Sequence, residues 1–272
     1  MSSLREVQLC QLQILKAVAK VCEENNIDYM LACGSLLGAI RHKGYIPWDE
    51  DIDIYMTIEN YRRFCKIGQK SLGDVFFVQN WRTEKEYPDL WTQVRMNGTT
   101  SMTVLYKKLN IHFGIHIDIF PIIGIAKDER KQVKRFEICR SLLASDFMKA
   151  TDETPIGKQR IINRIPRVLR HLFCSLLEKK VMISPKNTEY STEVWYTLYK
   201  KHRSELFYSF TNVDFEQSSF KTINEYDEYL TTEYGDYMTP PPESERGEHE
   251  IAFGQVIRDT KKDYREYLNN EQ

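Results

Sequence analysis

Carboxylates recur at every second position in one short stretch of the chain, Asp49-Glu50-Asp51-Ile52-Asp53-Ile54. Side chains of a β-strand alternate between two faces, so Asp49, Asp51 and Asp53 would share one face and the isoleucines the other. Carboxylates held this close repel one another, and they are stable together only when protonated or neutralised by a cation. Carboxylate oxygens are hard ligands, so the pattern predicts a site for Mg²⁺ or Mn²⁺.

Two other interpretations of this acidic run are weaker. An acidic run is most often a solvated surface, but such a run has little reason to alternate with isoleucine. A calcium loop of the EF-hand type also spaces acids at alternate positions, and it needs glycine at its sixth position and glutamate at its twelfth. Counted from Asp49, those positions hold Ile54 and Asn60, which excludes the calcium loop.

Residues on either side of the run could complete a phosphate-handling site. Gly34 and Ser35 form a turn whose backbone N–H groups and hydroxyl suit a phosphate, although many such turns are only turns. Asp118 stands in a second alternating segment, residues 116–120. A lone Asp on a buried strand is costly without a partner, and its natural partner is the same metal cluster on a neighbouring strand.

These side chains must be positioned by a mixture of helices and strands. Apolar residues at three- and four-residue steps predict an amphipathic helix over residues 4–24, ended by Asn25 and Asn26. Residues 27–44 predict a short strand, the Gly-Ser turn and a helix. The remaining pattern of the first half predicts a helix over residues 58–71 and strands over residues 51–56, 74–80, 91–97 and 115–120, the last ended by Pro121.

Composition excludes several classes of protein. The chain has 272 residues, of which 42% are hydrophobic and 28% charged, and its mean hydropathy is −0.51, as expected for a globular protein without a membrane span. The net charge of −1 argues against a nucleic-acid partner. The start of the chain has no secretory pattern, and the six cysteines include no CxxC pair, so we expect reduced thiols, no structural zinc and a cytoplasmic location.

Three blocks of the sequence form a recognisable set of motifs. The first and most specific is GSLLGAIRHKGYIPWDEDIDIYM, residues 34–56, and the later blocks are HIDIFPIIG, residues 116–124, and EYGDYMTPPP, residues 233–242. Together they resemble the LicD family, which includes the bacterial phosphocholine transferases and stands in a broader group with fukutin and its relative. The resemblance implies a nucleotidyltransferase-like α/β (α+β) fold, in which a mixed sheet is flanked by helices with additional helical decoration.

The resemblance also implies a reaction, the metal-dependent transfer of phosphocholine from CDP-choline to a sugar hydroxyl of a cell-surface glycan or teichoic-acid precursor. Carried across, Asp51 and Asp53 match the metal-binding pair, Asp118 the third carboxylate and a general base, and Gly34 and Ser35 the phosphate-facing turn. Other residues are expected beside these: Asp49, Glu50 and His249 next to the ligands, and Arg41, His42, Lys43 and Arg95 at the phosphates or the leaving CMP. For the four cations a surface or helix-end role is an equal alternative, and for His249 a surface position is the plainer one.

A choline headgroup needs aromatic faces, because a quaternary ammonium cannot donate hydrogen bonds. The candidates for such a cage are Trp48, Trp81, Tyr87 and Trp91, with core packing as the alternative for each. Two other enzyme hypotheses stay open: another CDP-activated alcohol such as ribitol or glycerol, or transfer of a nucleotidyl group. A third hypothesis is an inactive member that binds a nucleotide or glycan.

The middle of the chain is basic, with 14 Lys or Arg against 7 Asp or Glu in residues 127–180. We expect a catalytic core over residues 1–126, a mainly helical basic insertion over residues 127–205, and a C-terminal segment, residues 206–272, that completes the cleft. Residues 160–180 predict a basic amphipathic helix that Pro166 kinks or begins. Such a helix either packs on the core or lies on the inner face of an anionic membrane, where a lipid-linked acceptor would be found.

Overall fold

The computed structural model describes residues 1–151, 155–195, 200–246 and 256–269. The helices are α1 (Leu4–Glu24), α2 (Cys33–His42), α3 (Ile58–Leu72), α4 (Glu129–Leu143), α5 (Ser145–Ala150), α6 (Lys158–Ile162), α7 (Arg167–Val181), α8 (Tyr226–Tyr234) and α9 (Tyr264–Asn269). The strands are β1 (Met30–Leu31), β2 (Asp53–Thr57), β3 (Phe76–Gln79), β4 (Thr92–Met96), β5 (Thr100–Thr103), β6 (His116–Gly124), β7 (Tyr190–Glu193), β8 (His202–Arg203), β9 (Phe210–Phe215), β10 (Ser218–Ile223) and β11 (Val256–Asp259).

A mixed sheet forms the centre of the fold, in the order β1-β2-β6-β4-β3, with β7 added to the far half of β6 and β8 added to β7. β2 and β6 are parallel, whereas the other neighbouring strands are antiparallel. Two smaller sheets pair β9 with β10 and β5 with β11. The predicted α/β class, a mixed sheet with flanking and additional helices, is confirmed.

Helix α1 follows from its sequence at both ends. Ser3 caps it, since its side chain accepts from the N–H of Glu6 while the Glu6 carboxylate accepts from the Ser3 N–H. The chain leaves the helix at Asn25, and Asn26 takes a positive φ of 51°. The inner face of α1, with Ile14, Leu15 and Val18 fully buried, packs on the central sheet and α3, so the predicted helix is confirmed.

The strand predicted over residues 51–56 begins later than expected, because β2 starts at Asp53. Asp49 and Asp51 therefore lie in the loop that precedes the strand, and the prediction that they share a strand face with Asp53 is wrong. The alternation of burial still reaches back one residue: Ile52 is fully buried, and its carbonyl accepts from the N–H of Asp118 at 2.9 Å. Asp49 and Asp51 thus approach the start of β2 from the preceding loop, whereas Asp53 belongs to the strand itself.

Strand β6 is longer than predicted and passes through Pro121 to Gly124. Proline lacks the N–H that a central strand needs, but its carbonyl still pairs, accepting from the N–H of Val194 at 2.9 Å. The extra length matters because residues Ile122–Gly124 carry β7. Part of the 127–205 segment thereby joins the central sheet, and the three-part division of the chain stays a prediction.

Residues 160–180 do not form one helix. α6 ends at Ile162, and Pro166 begins α7 as its N-terminal cap residue. The apolar face, for which packing on the core is one of the two expected arrangements, points largely outward, while Arg170 and Cys174 face α4. None of the helices that the structure describes is long and apolar enough to cross a membrane.

Candidate active site

Two carboxylates oppose each other where β2 and β6 begin. Asp53 is paired with Asp118 in the parallel register, and the next pair, Ile54 with Ile119, is fully buried. Paired residues of neighbouring strands point to the same side of a sheet. The strand pairing therefore places the two carboxylates side by side and seats the isoleucines in the core.

Helix α2 brings its first turn against these acids. The Ser35 hydroxyl accepts from the N–H of Asp53 at 2.9 Å, and the N–H of Ala32 donates to the Asp53 carbonyl at 3.1 Å. Ser35 thus ties the start of the helix to the start of β2, and a hydroxyl that accepts can still donate to a phosphate. Cys33 opens the helix at a φ of 46°, the left-handed region that non-glycine residues rarely adopt.

Gly34 allows the loop carboxylate of Asp49 to approach the helix. A Cβ atom at residue 34 would lie 2.5 Å from the Asp49 Oδ2 atom, so only glycine leaves room for the carboxylate here. Helix α1 holds the same loop from the other side: the side-chain amide of Gln8 donates to the Asp49 carbonyl at 2.9 Å, and that of Gln11 to the Glu50 carbonyl at 2.7 Å. Both glutamines are buried, and sequence reasoning missed them because a polar residue on a helix gives no local signal of its partner.

The charges of this cluster act strongly on one another. Burial, followed by the charge of Asp51, raises the pKa of Asp49 to about 8. Burial and the charges of Asp51, Asp118 and Asp49 raise the pKa of Asp53 well above its usual range. The structure therefore brings together all four aspartates that the sequence singled out.

Asp118 is the most firmly held of the four. Its Oδ1 atom accepts from Trp91 Nε1 and from Gln93 Nε2, both at 2.8 Å, while Oδ2 lies 3.7 Å from His116 Nε2. Burial raises the pKa of Asp118 to about 6, although the hydrogen bond from Gln93 opposes that rise. Burial, then the charge of Arg95, lowers the pKa of His116 well below its usual range, so that imidazole is neutral.

A metal ion has suitable donors in this cluster, because carboxylate oxygens that raise each other's pKa gain from a divalent cation. Among the residues that the structure describes, however, no group of three or more His, Cys, Asp or Glu side chains is already arranged to hold one. Like charges separate when no cation bridges them. The metal site therefore stays a prediction, with Asp51, Asp53 and Asp118 as its ligands.

The four candidate cations divide into two positions. Arg95 is buried behind Asp118, where its guanidinium donates to the carbonyl of Gly114 at 2.6 Å and to the side chains of Gln79 and Gln93. Because Gln93 in turn donates to Asp118, Arg95 orients the Gln93 amide that holds this carboxylate. Arg95 is buried and does not face an open phosphate pocket.

The other three cations, Arg41, His42 and Lys43, lie at the C-terminal end of α2, about 10 Å along the helix axis from Gly34 and Ser35. Arg41 donates to the carbonyl of Tyr237 at 2.8 Å, and Lys43 caps the helix with a φ of 57°. The His42 ring meets the edge of Trp48, with ring centroids 6.3 Å apart. The hydrogen bond of Arg41 joins this end of the helix to the block at residues 233–242.

The candidate aromatic cage is not a single group. Trp48 is half-buried and lines a cavity of about 390 Å³ together with Met1, Ser2, Leu4, Glu50, Val256 and Arg258. Trp91 binds Asp118, and Tyr87 is buried, with the charges of Asp89 and Asp118 among the causes of its raised pKa. Trp81 lies apart from the acids, beneath the guanidinium of Arg82 at 4.0 Å and against His171 of α7. Of the four candidates, Trp48 alone lines this cavity.

Arginines that sequence reasoning missed surround Trp48. The Arg246 guanidinium lies 4.6 Å from the indole centroid, and Arg258 forms an ion pair with Glu50. Both arginines are about 200 positions away from Trp48 along the chain, so the sequence alone could not show that they lie near it. His249 lies outside the described residues.

The third sequence block meets the first through α8. The Glu233 carboxylate accepts a hydrogen bond from the buried His202 ring at 2.9 Å and also pairs with Lys200, which fixes the C-terminal end of the helix to β8. The neighbouring Tyr234 then lies where the charges of Asp53 and Asp49 reach its phenol. Tyr234 is a candidate site residue that could have been found within the EYGDY motif.

Comparison with known proteins agrees with this arrangement. The family profile described as LicD/FKTN/FKRP, nucleotidyltransferase domain, matches residues 26–135. The chain is 30% identical, over 94% of its own length and 98% of the relative's, to the lipopolysaccharide cholinephosphotransferase LicD of Haemophilus influenzae. The chain belongs to the LicD family. The region that the profile matches contains the Gly-Ser turn and the four aspartates. The chain is accordingly a phosphotransferase.

A second relative transfers a different alcohol phosphate. The ribitol 5-phosphate transferase FKRP of Homo sapiens is 29% identical over 153 residues, which are 47% of this chain and 31% of the human protein. An uncharacterised protein of Rickettsia prowazekii, RP689, is 30% identical over 97 residues. The family relation thus establishes transfer of an alcohol-bearing phosphate and leaves the alcohol to be determined.

Proposed function

We propose that this LicD protein transfers phosphocholine from CDP-choline to a sugar hydroxyl of a cell-surface glycan, such as a lipopolysaccharide or teichoic-acid precursor. One observation carries the proposal: Asp53 and Asp118 are paired across β2 and β6, with Asp51 and Asp49 beside them. This arrangement occurs in a chain similar over nearly its full length to a lipopolysaccharide cholinephosphotransferase.

The chemistry needs a divalent cation, and Asp51 and Asp53 would hold Mg²⁺ or Mn²⁺ with Asp118 as the third carboxylate. The bound cation supplies positive charge to the phosphates of the donor during transfer. Gly34 and Ser35 contribute backbone N–H groups and a hydroxyl at the first turn of α2, where the helix dipole favours an anion.

Asp118 is the proposed general base for the acceptor hydroxyl. Trp91 and Gln93 both donate to Oδ1, which fixes the carboxylate and directs Oδ2 away from these donors. In the proposed step the acceptor hydroxyl oxygen forms a bond to the choline-bearing phosphorus, the bond from that phosphorus to the oxygen of CMP breaks, and the hydroxyl proton passes to Oδ2. CMP leaves with the bonding electron pair.

The cavity beside Trp48 is the proposed headgroup site. It offers the indole of Trp48, whose aromatic face suits a quaternary ammonium, and the Glu50 carboxylate, which is shared with Arg258. The Arg246 guanidinium already makes with the indole the kind of cation–π contact that we propose for choline. A second candidate donor is CDP-ribitol, which the likeness to a ribitol 5-phosphate transferase favours.

The donor is tested by thermal stabilisation with Mg²⁺ and equal concentrations of CDP-choline, CDP-ribitol and CDP-glycerol. CDP-choline should raise Tm most, and Trp48→Ala should remove that preference while CMP still binds, because a desolvated cation–π contact contributes ~2 kcal/mol. Trp195→Ala, which removes an exposed indole elsewhere, serves as the matched control. Equal stabilisation by all three donors, or preference for a polyol, would contradict the choline assignment and leave the metal site standing.

The proposed location is the cytoplasm. All six cysteines are free, and Cys33 lies beside the acidic cluster with its thiol 3.0 Å from the Tyr55 hydroxyl. Free thiols are typical of a reducing compartment. Fractionation of cells that produce the protein, with reactive-thiol labelling, should recover it in the cytoplasmic or inner-membrane fraction with unmodified thiols.

A further inference from the structure

Helix α7 exposes a continuous apolar surface to solvent. Val168 is 80% exposed, Leu172 52% and Leu176 53%, and Leu169 and Phe173 are also exposed. We call these five residues the outer stripe; at helical spacing they lie on one side of α7. Ile156 and Ile161 extend the exposed apolar surface before the helix.

The opposite side of α7 is unusually polar for a buried surface. Arg170 is 1% exposed and pairs with Asp146 at 2.7 Å, and it also donates to the carbonyl of Leu142 at 3.0 Å. A surface helix normally turns its apolar side inward. Here a buried ion pair orients the helix so that its most apolar side faces outward, and exposed apolar patches of this kind mark interaction sites.

Charge around the outer stripe is strongly positive. Residues 155–180 contain seven Lys or Arg and one acid, Glu178, which is buried and paired with Arg82. Lys179 and Lys180 are exposed at the C-terminal end of the stripe, and Arg160 and Arg164 are exposed before its start. Long basic side chains can lay their stems along an apolar surface and keep their charges at its polar boundary.

A basic cavity adjoins the stripe. It has a volume of about 360 Å³ and is lined by Arg62, Arg82, Ser175, Glu178, Lys179 and Met182. Ser175 and Lys179 lie on α7 within one turn of Leu172 and Leu176, so the cavity borders the apolar surface. Glu178 offsets the charge of Arg82, and the remaining guanidinium, ammonium and hydroxyl groups of Arg62, Lys179 and Ser175 suit a phosphate.

We propose that the outer stripe docks this protein on an anionic phospholipid membrane, with the basic cavity receiving a lipid phosphate. Apolar side chains would enter the boundary between headgroups and acyl chains while the flanking cations meet the lipid phosphates. Charge complementarity selects the membrane over a second copy of this chain, because pairing two outer stripes would bring the same cations together.

The surface is physically connected to the acidic cluster. In α7, His171 contacts the Trp81 ring and Arg167 pairs with Glu86 at 2.8 Å. Both partners belong to residues 81–91, and this segment ends at Trp91, which binds Asp118. Docking would therefore hold one flank of the active site at the membrane surface. This consequence rests on the proposed function and favours an acceptor glycan carried by a lipid, whereas the docking itself does not depend on it.

The test is co-sedimentation of the full chain with vesicles, without donor or acceptor. Binding should be strong to vesicles containing phosphatidylglycerol, weak to phosphatidylcholine alone, and reduced by salt. Lys179→Gln with Lys180→Gln should weaken binding about 25-fold, since each cation contributes ~1 kcal/mol near an anionic surface. Leu172→Ser with Leu176→Ser should weaken it about tenfold per leucine.

Two matched control variants make the result specific. Leu9→Ser with Val75→Ser removes exposed apolar side chains elsewhere, and Lys16→Gln with Lys20→Gln removes exposed charges of α1. Both controls should bind vesicles as the wild type does, and every variant should keep its Tm and its transfer to a soluble glycan acceptor.

Absence of vesicle binding at low salt, or equal losses in the controls, would overturn the proposal. So would self-association that the stripe variants abolish, because a second copy would then cover the surface. Failure of transfer with vesicle binding intact would instead contradict the proposed function alone.

Discussion

Strand pairing brings the carboxylates of Asp53 and Asp118 side by side. The register that places Ile54 and Ile119 in the core also forces the two carboxylates together at the start of β2 and β6. Burial, together with the charge of Asp51, raises the pKa of Asp49, Asp53 and Asp118. A folded chain keeps such a cluster at a cost in stability, which a divalent cation would offset.

Replacing Asp53 should separate function from stability. Asp53→Asn should lower kcat/KM for CDP-choline by about a thousandfold, because a bound cation contributes several kcal/mol to the transition state. Its free energy of unfolding without metal should be unchanged or higher, because the variant removes one repelling charge. Denaturant titration and CMP release measure the two effects, with the exposed Asp214→Asn as control. Near-normal transfer would remove Asp53 from the site.

The acids also predict a pH dependence for the metal-free protein. Asp49 and Asp118 have folded-state pKa values raised to about 8 and about 6, so the folded state holds their protons more tightly than the unfolded state does. The contribution of these two groups to stability should therefore be fully present below about pH 4 and should be lost as the pH rises to about 8. Asp49→Asn should flatten this decline in chemical unfolding experiments. A stability that rises over the same range would show that the cluster is not repulsive.

Among the elements, α2 contacts the candidate site at one end and the third sequence block at the other. Its first turn lies against Asp49 and Asp53, and its last turn binds the Tyr237 carbonyl. Gly34→Ala tests this role. Alanine normally stabilises a helix relative to glycine, but here its Cβ would displace the Asp49 carboxylate. Transfer should fall by about a hundredfold, the cost of ~1 Å of misplacement. Ser71→Ala on α3 is the control, and unchanged activity in Gly34→Ala would show that Asp49 can move freely.

Helix α7 shows what local pattern could and could not predict. Its helical character and its start at Pro166 follow from periodicity and proline chemistry. Its orientation does not, because the pairing of Arg170 with Asp146 joins positions 24 residues apart. The same holds for β6: alternation predicted the strand, but its continuation past Pro121 depends on β7. At the site, residue types and motifs identified the aspartates, whereas Gln8, Gln11, Arg246 and Arg258 became visible only once distant segments met.

The buried ion pair of α7 gives a stability prediction. Arg170→Met should destabilise the protein by about 3–5 kcal/mol, because it leaves the Asp146 carboxylate buried without its main partner. Adding Asp146→Leu should restore much of that loss, since an apolar pair needs no counter-charge. Arg160→Met, at an exposed position, should change the free energy of unfolding little in the same denaturant experiment. A small effect of Arg170→Met would show that water reaches the pair.

On the scale of the whole molecule, three distant sequence blocks meet at one place. The first supplies α2 and the acidic loop, the second supplies Asp118, and the third contains Tyr234 and binds Arg41 through the Tyr237 carbonyl. Both ends of the chain close around the loop, since the N–H of Ser2 donates to the Arg258 carbonyl at 3.0 Å and Arg258 pairs with Glu50. Arg258→Gln should therefore raise KM for the donor more than it lowers kcat, which steady-state kinetics measure. A larger effect on kcat than on KM would show that Glu50 acts in the chemical step.

The most direct test of the central claim is CMP release from CDP-choline, measured with a glycan acceptor while Mg²⁺ is titrated into metal-free enzyme. The wild type should be inactive without metal and should saturate with Mg²⁺ or Mn²⁺. Asp51→Asn and Asp53→Asn should stay inactive at every concentration, and Asp214→Asn should follow the wild type. Full activity in the presence of a chelator, or normal metal dependence in either variant, would contradict the assignment of these aspartates.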